Sequence, residues 1–411
     1  MFPPPLSKVL LAILAIPSCV IQAIQLDVKD PASLRAAAST ISKTLLTYYK
    51  NDAPNTPPEK IGLLPFPPYY WWESGAMWAG IIDYTTYTKD TSHVNKTIQA
   101  LLAQRGPKND YIVPAHRGDE GNDDQTMWGL GLMSAVENNF PGPPEDQPQW
   151  FPMVIALFKD QASRWDMESC GGGLKWQMYP GKYQNAYGYN YKNSISNGAF
   201  FQLAARLALY TGEQYYIDWA EKVWDWSWRT GLISPTYDVF DGTDDKKNCT
   251  SLDHTQWSYN VAVYIEGTAA MWNTTQKSIW GERTVGLLGA SEVFFSPFPN
   301  ATGIMFEAAC EPANKCNNDQ VSFKAYLGRW LAKTMILAPF TAKTIRPLLE
   351  TSAMAAAKSC SGGSDGVACG TKWWVGGYDG KTGVGQQLSA LEVIQSLLIE
   401  DADRWQLPRD N

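Results

Sequence analysis

Pairs of helices repeat along this chain, and the repeat limits the folds that it can adopt. At residues 87–90, 210–213 and 272–275, one helix rich in small residues ends and another begins within a few positions. A helix pair cannot bury its apolar face alone, so neighbouring pairs must pack on each other. We count about eleven or twelve helices and no strand ladder. Twelve helices in six hairpins predict an all-α toroid, an (α/α)6 barrel, with its loops gathered around a cleft at one mouth.

The chain also has the signals of a secreted, single-domain protein. Residues 1–23 are typical of a signal peptide, with Lys8 as the positive start and an apolar run at 9–16 that is too short to span a bilayer. The linker at 141–148 is too short to separate domains. We therefore expect one catalytic domain over residues 24–402, followed by a polar tail at 403–411.

Cysteines and glycosylation sequons agree with secretion from a eukaryotic cell. Six cysteines follow the signal peptide, and an even number in a secreted chain indicates disulfides. Short loops favour Cys310–Cys316 and Cys360–Cys369, which leaves Cys170–Cys249, although other pairings stay open. Four N-glycosylation sequons begin at Asn95, Asn248, Asn273 and Asn300. No spacing matches a zinc site, and we expect neither a metal nor a cofactor.

Charge and aromatic content narrow the class of partner. The net charge of −7 argues against a nucleic-acid surface. The chain contains 18 Trp and 20 Tyr. More than half of them are explained by an aromatic core, but Trp and Tyr also stack on sugar rings while offering polar edges. We expect a monomer that binds glycans.

The segment His116–Gly129 places two adjacent carboxylates at a predicted helix start. Asn122 is the expected cap, Gln125 follows three residues later as in a capping box, and Asp123 and Asp124 occupy the first turn. An apolar face follows, made by Trp128, Leu130, Leu132, Met133 and Val136.

This pair has the arrangement that glycosidic-bond cleavage requires. Enzymes that retain stereochemistry use two carboxyl groups about 5–5.5 Å apart, one as nucleophile and one as proton donor. Successive helix residues diverge by about 100°, so the two groups can reach opposite sides of a bond. The helix N-terminus favours an ionised nucleophile, whose charge keeps the neighbouring acid protonated. The alternative is that Asp123 and Asp124 only cap and solubilise a helix.

Four motifs together resemble those of glycoside hydrolase family 76. They are Tyr70-Trp71-Trp72-Glu73-x-Gly75, Gly121-Asn122-Asp123-Asp124-Gln125, Cys170-Gly171-Gly172-Gly173 and Trp257-x-Tyr259-Asn260, and segments 323–331 and 383–387 also fit. The resemblance covers nearly all of the mature chain. It implies an (α/α)6 barrel and retaining cleavage of α-mannosidic bonds, with Asp123 as nucleophile and Asp124 as general acid/base.

Within the family, the chain is most similar to a fungal cell-wall branch of GPI-anchored endo-1,6-α-mannosidase homologues. The branch implies a transglycosidase that cleaves the mannose-containing GPI glycan and transfers the attached protein to wall polysaccharide such as β-glucan. A covalent glycosyl-enzyme permits this, because a sugar hydroxyl can replace water. The alternatives are an endo-1,6-α-mannanase that hydrolyses mannan and a non-catalytic glycan-binding wall protein.

The expected location follows from the same resemblance. Proteins of this branch end in an apolar tail that directs GPI attachment, whereas the printed chain ends at Asn411 after an amphipathic helix. We expect the secretory pathway and the cell wall, or the outer face of the plasma membrane for a chain that carries such a tail.

Several further residues are candidates for sugar binding. The proposed contacts are Trp72, Gln125, Trp128, Asn193, Asn197, Asp241, Tyr259, Asn260 and Arg117. Each has a structural alternative: a core aromatic for the Trp residues, a turn for Asp241, a cap for Asn193 and a loop ion pair for Arg117. Asp119 and Glu120 are less favoured alternatives for the acid, or cation ligands.

Overall fold

A computed structural model describes residues 23–118, 120–180 and 186–400. The expected signal peptide up to residue 22, Asp119 and the polar tail at 403–411 lie outside the described residues.

Thirteen helices and three short strands form within the described residues. The helices are α1 (Pro31–Leu46), α2 (Trp71–Thr88), α3 (Val94–Ala103), α4 (Asn122–Glu137), α5 (Trp150–Ser163), α6 (Ala186–Tyr189), α7 (Ser194–Thr211), α8 (Gln214–Arg229), α9 (Ser258–Thr275), α10 (Ser278–Ala290), α11 (Phe323–Leu337), α12 (Ala342–Ser359) and α13 (Val384–Gln395). Except for the single turn of α6, they alternate between an inner and an outer position.

The inner helices close into a ring. They are α2, α4, α7, α9, α11 and α13, and each contacts the next, with α13 returning to α2. Nearly every residue of these helices is buried, whereas α1, α3, α5, α8, α10 and α12 bury one face against them. A helix that is apolar all round belongs inside a larger structure, and an amphipathic one covers it. The predicted (α/α)6 barrel is confirmed.

Small residues set the spacing of the ring, as at Gly75 of α2. A Cβ atom on Gly75 would lie 2.6 Å from the indole of Trp128 on α4. Only glycine leaves room for this aromatic ring against the helix backbone, because real Cβ atoms do not come so close to another heavy atom. The close approach of α2 and α4 therefore depends on this position.

Buried ion pairs also join neighbouring inner helices. Arg206 of α7 donates to both carboxylate oxygens of Glu137 on α4, at 2.9 and 2.6 Å. Arg329 of α11 lies 2.5 Å from Glu392 of α13. All four side chains are almost completely buried. Removing one partner of such a pair leaves an uncompensated buried charge, so these contacts fix how the inner helices are arranged.

The structure contains a small antiparallel sheet that the sequence analysis did not predict. Strands β1 (Tyr191–Asn193), β2 (Gly242–Asp244) and β3 (Leu252–Asp253) pair in the order β1-β2-β3, with Lys192 opposite Thr243. The expectation of no strand ladder was wrong here, because strands of two or three residues are too short to show a period of two. The sheet lies directly before α7 and near α9, where it ties two loops together.

Three disulfides brace the loops. They are Cys170–Cys249, Cys310–Cys316 and Cys360–Cys369, which is the pairing that the short loops favoured. The first joins the loop after α5 to the loop between β2 and β3, across 79 residues of sequence.

The four sequons differ in accessibility. Asn95, Asn248 and Asn300 are exposed. Asn273 is partly buried, and the side-chain nitrogen that would carry a glycan donates to the carbonyl oxygen of Leu337 at 2.9 Å. The first three are therefore the more accessible acceptors. Among the helices within the described ranges, none has the combination of length and apolarity needed to cross a bilayer.

Candidate active site

A cleft of about 420 Å³ opens at one mouth of the barrel. Its walls come from the N-terminal ends of five inner helices and the loops that precede them; the lining includes Tyr70, Trp71, Trp72, Gly118, Asp123, Asp124, Met127, Trp176, Gln177, Gly188, Ile195, Tyr259, Asp319 and Phe323. The volume is in the range of small-molecule sites. Because several helix N-termini meet here, the cleft favours negative charge.

The start of α4 directs the two aspartates into this cleft. Gly121 is the capping residue, and its backbone N–H donates to Oδ2 of Asp124 at 2.6 Å. Asn122 is instead the first helical residue, and its side-chain nitrogen donates to the carbonyl of Lys175 at 2.7 Å. The prediction that Asn122 caps the helix with Gln125 was wrong, because the carboxylate of Asp124 already satisfies the free N–H at the helix start.

The two carboxyl groups lie close together over Gly121. A Cβ atom on Gly121 would be 2.3 Å from Oδ1 of Asp123 and 3.1 Å from Oδ2 of Asp124. The two oxygens are therefore no farther apart than the sum of these distances, which is compatible with the separation of about 5–5.5 Å in retaining glycosidases. Glycine is required at this position because any side chain would collide with the carboxylates.

The surroundings shift the pKa values of the two carboxyl groups unequally. Burial raises the pKa of Asp123 to about 7, although its own backbone N–H, that of Asp124 and the Trp176 indole favour the ionised form. Burial and the negative charge of Asp123 raise the pKa of Asp124 well above its usual value. We infer that Asp123 loses its proton first and that Asp124 keeps its own.

Aromatic side chains form the walls beside the aspartates. Tyr259 of α9 stacks on Phe323 of α11 with the ring centroids 3.8 Å apart and the planes 6° from parallel. Trp72 and Trp176 also line the cleft. Such faces can pack on the C–H surfaces of a sugar ring while the carboxylates meet its polar groups.

Comparison with known proteins places this geometry in a family. The pattern of glycosyl hydrolase family 76 matches residues 33–407. The chain belongs to glycosyl hydrolase family 76. The mannan endo-1,6-alpha-mannosidase DCW1 of Saccharomyces cerevisiae is 46% identical to it over 374 residues, which are 90% of this chain and 80% of that protein. This family 76 protein is therefore a glycoside hydrolase.

Solved structures share the architecture. The crystal structure of Dfg5 from Chaetomium thermophilum in complex with glucosamine has 40% sequence identity and a TM-score of 0.86, covering 92% of this chain and 93% of that one. An inactive variant of an α-1,6-mannanase from Salegentibacter sp., in complex with α-1,6-mannotriose, has 16% identity and a TM-score of 0.70 over 89% of this chain and 99% of that one. The latter is similar in fold.

Two of the expected sugar-binding residues of this family 76 chain lie behind the wall of the cleft. Trp128 is fully buried and packs against Trp71 and Tyr111. Gln125 is also fully buried, and its side-chain nitrogen donates to the carbonyl of Asp110 at 2.7 Å. Trp128 packs toward α2 and the loop before α4, and Gln125 bonds that loop and Asp160 of α5, so neither side chain lines the cleft.

The two asparagines at the start of α7 have structural partners as well. Asn193 caps the helix by accepting a hydrogen bond from the N–H of Ser196 at 3.1 Å. Asn197 is fully buried and bonds both the N–H and the carbonyl of Leu174, at 2.7 and 3.0 Å. Neither lines the cleft. Asn193 shapes the start of α7, and Asn197 holds the loop that leads to Trp176, so their effect on the site is indirect.

Asp241 lies near Asp123, and Asn260 lies next to Asp241, but neither residue lines the cleft. Asp241 accepts a hydrogen bond from the Tyr191 hydroxyl at 2.8 Å and lies 3.5 Å from the side-chain nitrogen of Asn260. Burial raises the pKa of Asp241, and its negative charge contributes to the raised pKa of Asp123. Asp241 is therefore close enough to Asp123 to act on it electrostatically.

Two charged residues before α4, Arg117 and Glu120, do not line the cleft. Arg117 is exposed and lies over the ring of Tyr179 at 4.7 Å. Glu120 is buried and accepts a hydrogen bond from the N–H of Val113 at 2.6 Å, so it braces the loop before α4. Asp119, the other alternative, lies outside the described residues. In the ranges that are described, no group of three or more His, Cys, Asp or Glu side chains could hold a metal ion.

The sequence analysis missed several lining residues. Trp176 closely follows the Cys170-Gly171-Gly172-Gly173 motif, so that motif could have indicated it. Asp319 lies in a loop before α11 and has no spacing signal of its own. Asp319 reaches the cleft only because this loop folds over the start of α2, which the sequence does not show.

Proposed function

We propose that this family 76 enzyme acts on α-mannosidic bonds with retention of configuration. Asp123 is the nucleophile and Asp124 the general acid/base. The observation that carries the proposal is the close placement of the two carboxyl groups over Gly121, in an aromatic cleft where their pKa values differ. Two titratable groups with pKa values pushed apart are suited to opposite roles.

The reaction would proceed in two displacements. In the first, ionised Asp123 attacks the anomeric carbon while Asp124 donates its proton to the glycosidic oxygen, so that a glycosyl-Asp123 ester forms and the leaving glycan departs. In the second, Asp124 accepts a proton from an incoming hydroxyl, which attacks the anomeric carbon and releases Asp123. The incoming hydroxyl belongs to water in a hydrolase and to a sugar in a transglycosidase.

The proposed donor is an α-1,6-linked mannose chain, and specifically the mannose-containing glycan of a GPI anchor. Wall polysaccharide such as β-glucan is the proposed acceptor, which makes the protein a transglycosidase. The two-step chemistry supports this proposal because it leaves a covalent intermediate for an acceptor to intercept. The second candidate, hydrolysis of α-1,6-mannan, is supported by the name of the 46%-identical yeast relative.

The proposed location is the secretory pathway and the cell wall. Three disulfides support it, because such bonds persist in oxidising compartments. The exposed sequons at Asn95, Asn248 and Asn300 also support it, because N-glycans are added in that pathway.

Product analysis separates the candidates. Purified protein is incubated with a synthetic GPI core glycan, or with an α-1,6-mannan oligosaccharide, in the presence and absence of a β-glucan oligosaccharide. Asp123→Asn is the inactive comparison, and Asp146→Asn is the matched control because Asp146 is exposed in the loop after the opposite end of α4.

Each product pattern selects one candidate. A donor–acceptor conjugate that is absent with Asp123→Asn would support the transglycosidase. Free reducing mannosides, in the same amount with and without acceptor, would support the mannanase instead. Binding of a glycan without formation of any product would support the third alternative, a non-catalytic glycan-binding wall protein.

A further inference from the structure

Two pairs of neighbouring residues meet where the start of α2 faces the loop before α11. In the first pair, Glu73 accepts hydrogen bonds from the side-chain nitrogen of Asn318 at 2.9 and 3.1 Å. One carboxylate oxygen of Glu73 also accepts from the N–H of Tyr70 at 2.7 Å. Because Glu73 is only 2% exposed, these contacts are shielded from water. They clamp the loop onto the helix.

The second pair, Trp72 and Asp319, faces the cleft next to this clamp. Both side chains line the cleft that contains Asp123 and Asp124. Burial raises the pKa of Asp319 to about 6, although the neighbouring Trp72 indole favours the ionised form. The ring of Trp72 also packs against Tyr326 with the centroids 6.0 Å apart. Asp319 is therefore held in a defined position.

Asp319 has hydrogen-bonding capacity that the protein does not use. Its Oδ1 atom is buried and has no hydrogen-bond partner among the residues that the structure describes, while the residue as a whole is partly exposed on the cleft wall. An unsatisfied buried carboxylate oxygen is costly, and a donor that reaches it is correspondingly favourable. Sugar hydroxyl groups are such donors, and they would enter the cleft with a glycan.

The position of Asp319 differs from that of the other nearby carboxylate, Asp241. Asp123 has Trp176 and Asp241 as neighbours, on the side of the cleft formed by the loop before α7 and by β2. Asp319 acts electrostatically on Asp124 and lies beside Trp72, on the α2 and α11 side. Asp241 thus acts on Asp123, whereas Asp319 acts on Asp124 together with the buried Glu120.

This arrangement distinguishes the two sides of the bond to be cleaved. In a retaining enzyme, the nucleophile faces the anomeric carbon of the sugar that is retained, and the acid faces the oxygen of the sugar that leaves. We propose that Asp319 is a specificity-determining residue that accepts hydrogen bonds from hydroxyl groups of the sugar on the leaving-group side. The same place receives the acceptor in the second displacement. This assignment rests on the proposed roles of Asp123 and Asp124.

The test compares two substrates that differ only on the leaving-group side. One is α-1,6-mannotetraose, which leaves a sugar, and the other is a nitrophenyl glycoside of α-1,6-mannobiose, which leaves an aryl alcohol. For Asp319→Asn we expect kcat/KM on the tetraose to fall about 10- to 100-fold, the usual effect of losing a hydrogen bond to a charged group. The aryl substrate should change less than about threefold.

Controls separate a local effect from misfolding. Asp319→Ala is the second variant and should show the same split between substrates, while Asp146→Asn should change neither rate. Thermal melting checks that each variant folds. A general structural defect would lower kcat/KM on both substrates, so a loss on the tetraose alone is not explained by misfolding.

The outcomes are distinct. Equal losses on both substrates, or no loss on the tetraose, would overturn the assignment of Asp319 and leave the proposed function intact. If the wild-type enzyme cleaves neither substrate, even with a β-glucan oligosaccharide present as acceptor, the proposed action on α-1,6-linked mannose chains fails, and the role of Asp319 fails with it.

Discussion

The carboxylate of Asp124 accepts the backbone N–H of Gly121 at 2.6 Å, so the proposed acid/base is oriented by the turn that begins its own helix. Gly121 also provides the space that the carboxylates of Asp123 and Asp124 occupy. Backbone geometry and side-chain geometry are therefore coupled at this position. The coupling makes the site sensitive to a single methyl group.

Gly121→Ala should lower kcat at least about 100-fold, because a displacement of about 1 Å in a catalytic group has an effect of that size. The added Cβ would lie 2.3 Å from Oδ1 of Asp123, so that carboxylate must move. Steady-state kinetics on an α-1,6-mannoside measures the loss. Gly377→Ala is the matched control, since a Cβ there has nothing within 4 Å. A Gly121→Ala enzyme with near wild-type kcat would contradict the geometry.

Substrates with different leaving groups should separate the roles of the two aspartates. With a natural α-1,6-mannoside, Asp123→Ala and Asp124→Ala should each lose at least about 100-fold in rate. With an activated aryl mannoside, Asp124→Ala should keep a fast release of the aryl alcohol, because that leaving group needs no proton. Asp123→Ala should lose this fast release, because no nucleophile remains to displace the aryl alcohol. Stopped-flow measurement of the first turnover tests this, and the reverse pattern would exchange the two roles.

The pH dependence of kcat/KM should be bell-shaped. The pKa of Asp123 is about 7, so activity should rise as pH increases toward 7 and the nucleophile ionises. Burial and the charge of Asp123 raise the pKa of Asp124, so activity should fall again at higher pH, when the acid loses its proton. The two limbs report the titration of the coupled pair.

The Asp124→Ala variant provides a check on that profile. Measured with the activated aryl mannoside, its profile should keep the acid limb and lose the basic limb. A basic limb that survives in this variant would have to come from another group.

The buried ion pair between Arg206 and Glu137 should contribute strongly to stability. Arg206→Ala would leave Glu137 buried without its partner, and breaking such a pair typically costs about 3–5 kcal/mol. Chemical denaturation measures the change. Lys277→Ala is the control, because its pair with Glu221 is exposed and should contribute less than about 1 kcal/mol. Equal losses in the two variants would show that burial does not matter here.

The Cys170–Cys249 disulfide should stabilise the fold more than the Cys310–Cys316 disulfide. The first closes 79 residues and the second only 6. In the chain-entropy model the contributions are about 4.5 and about 2 kcal/mol. Paired Cys→Ser variants of each bridge, compared by their melting temperatures, test the order. A larger loss for the short bridge would contradict the entropic account.

The barrel and the position of the two aspartates at a helix start were predictable because both depend on local patterns. Small-residue helices and short connections appear directly in the sequence, and they indicate helix pairs that must pack together. Asp123 and Asp124 are adjacent, so their placement on one helix start needed no knowledge of distant contacts. The cap was assigned to the wrong residue, however, since Gly121 takes that place and the Asp124 carboxylate satisfies its N–H.

The outer parts of the site were less predictable. Trp128 and Tyr259 both follow helix starts with aromatic neighbours, yet Trp128 is buried and Tyr259 lines the cleft. The direction of each side chain is set by the packing of its helix against its neighbours. The polar candidates Asn193 and Asn197 were recognised as important, but their hydrogen bonds go to the backbone of the protein itself.

The sequence by itself determined the helix pairs, the pair of aspartates and the favoured disulfide pairing, because each follows from short-range spacing. Only the tertiary structure decided which aromatic residues face the cleft and brought Asp319 beside Trp72 from the far end of the chain. These contacts join segments about 250 residues apart, as the Glu73 to Asn318 hydrogen bonds do. No local pattern encodes such a contact, since it exists only after the ring of inner helices has closed.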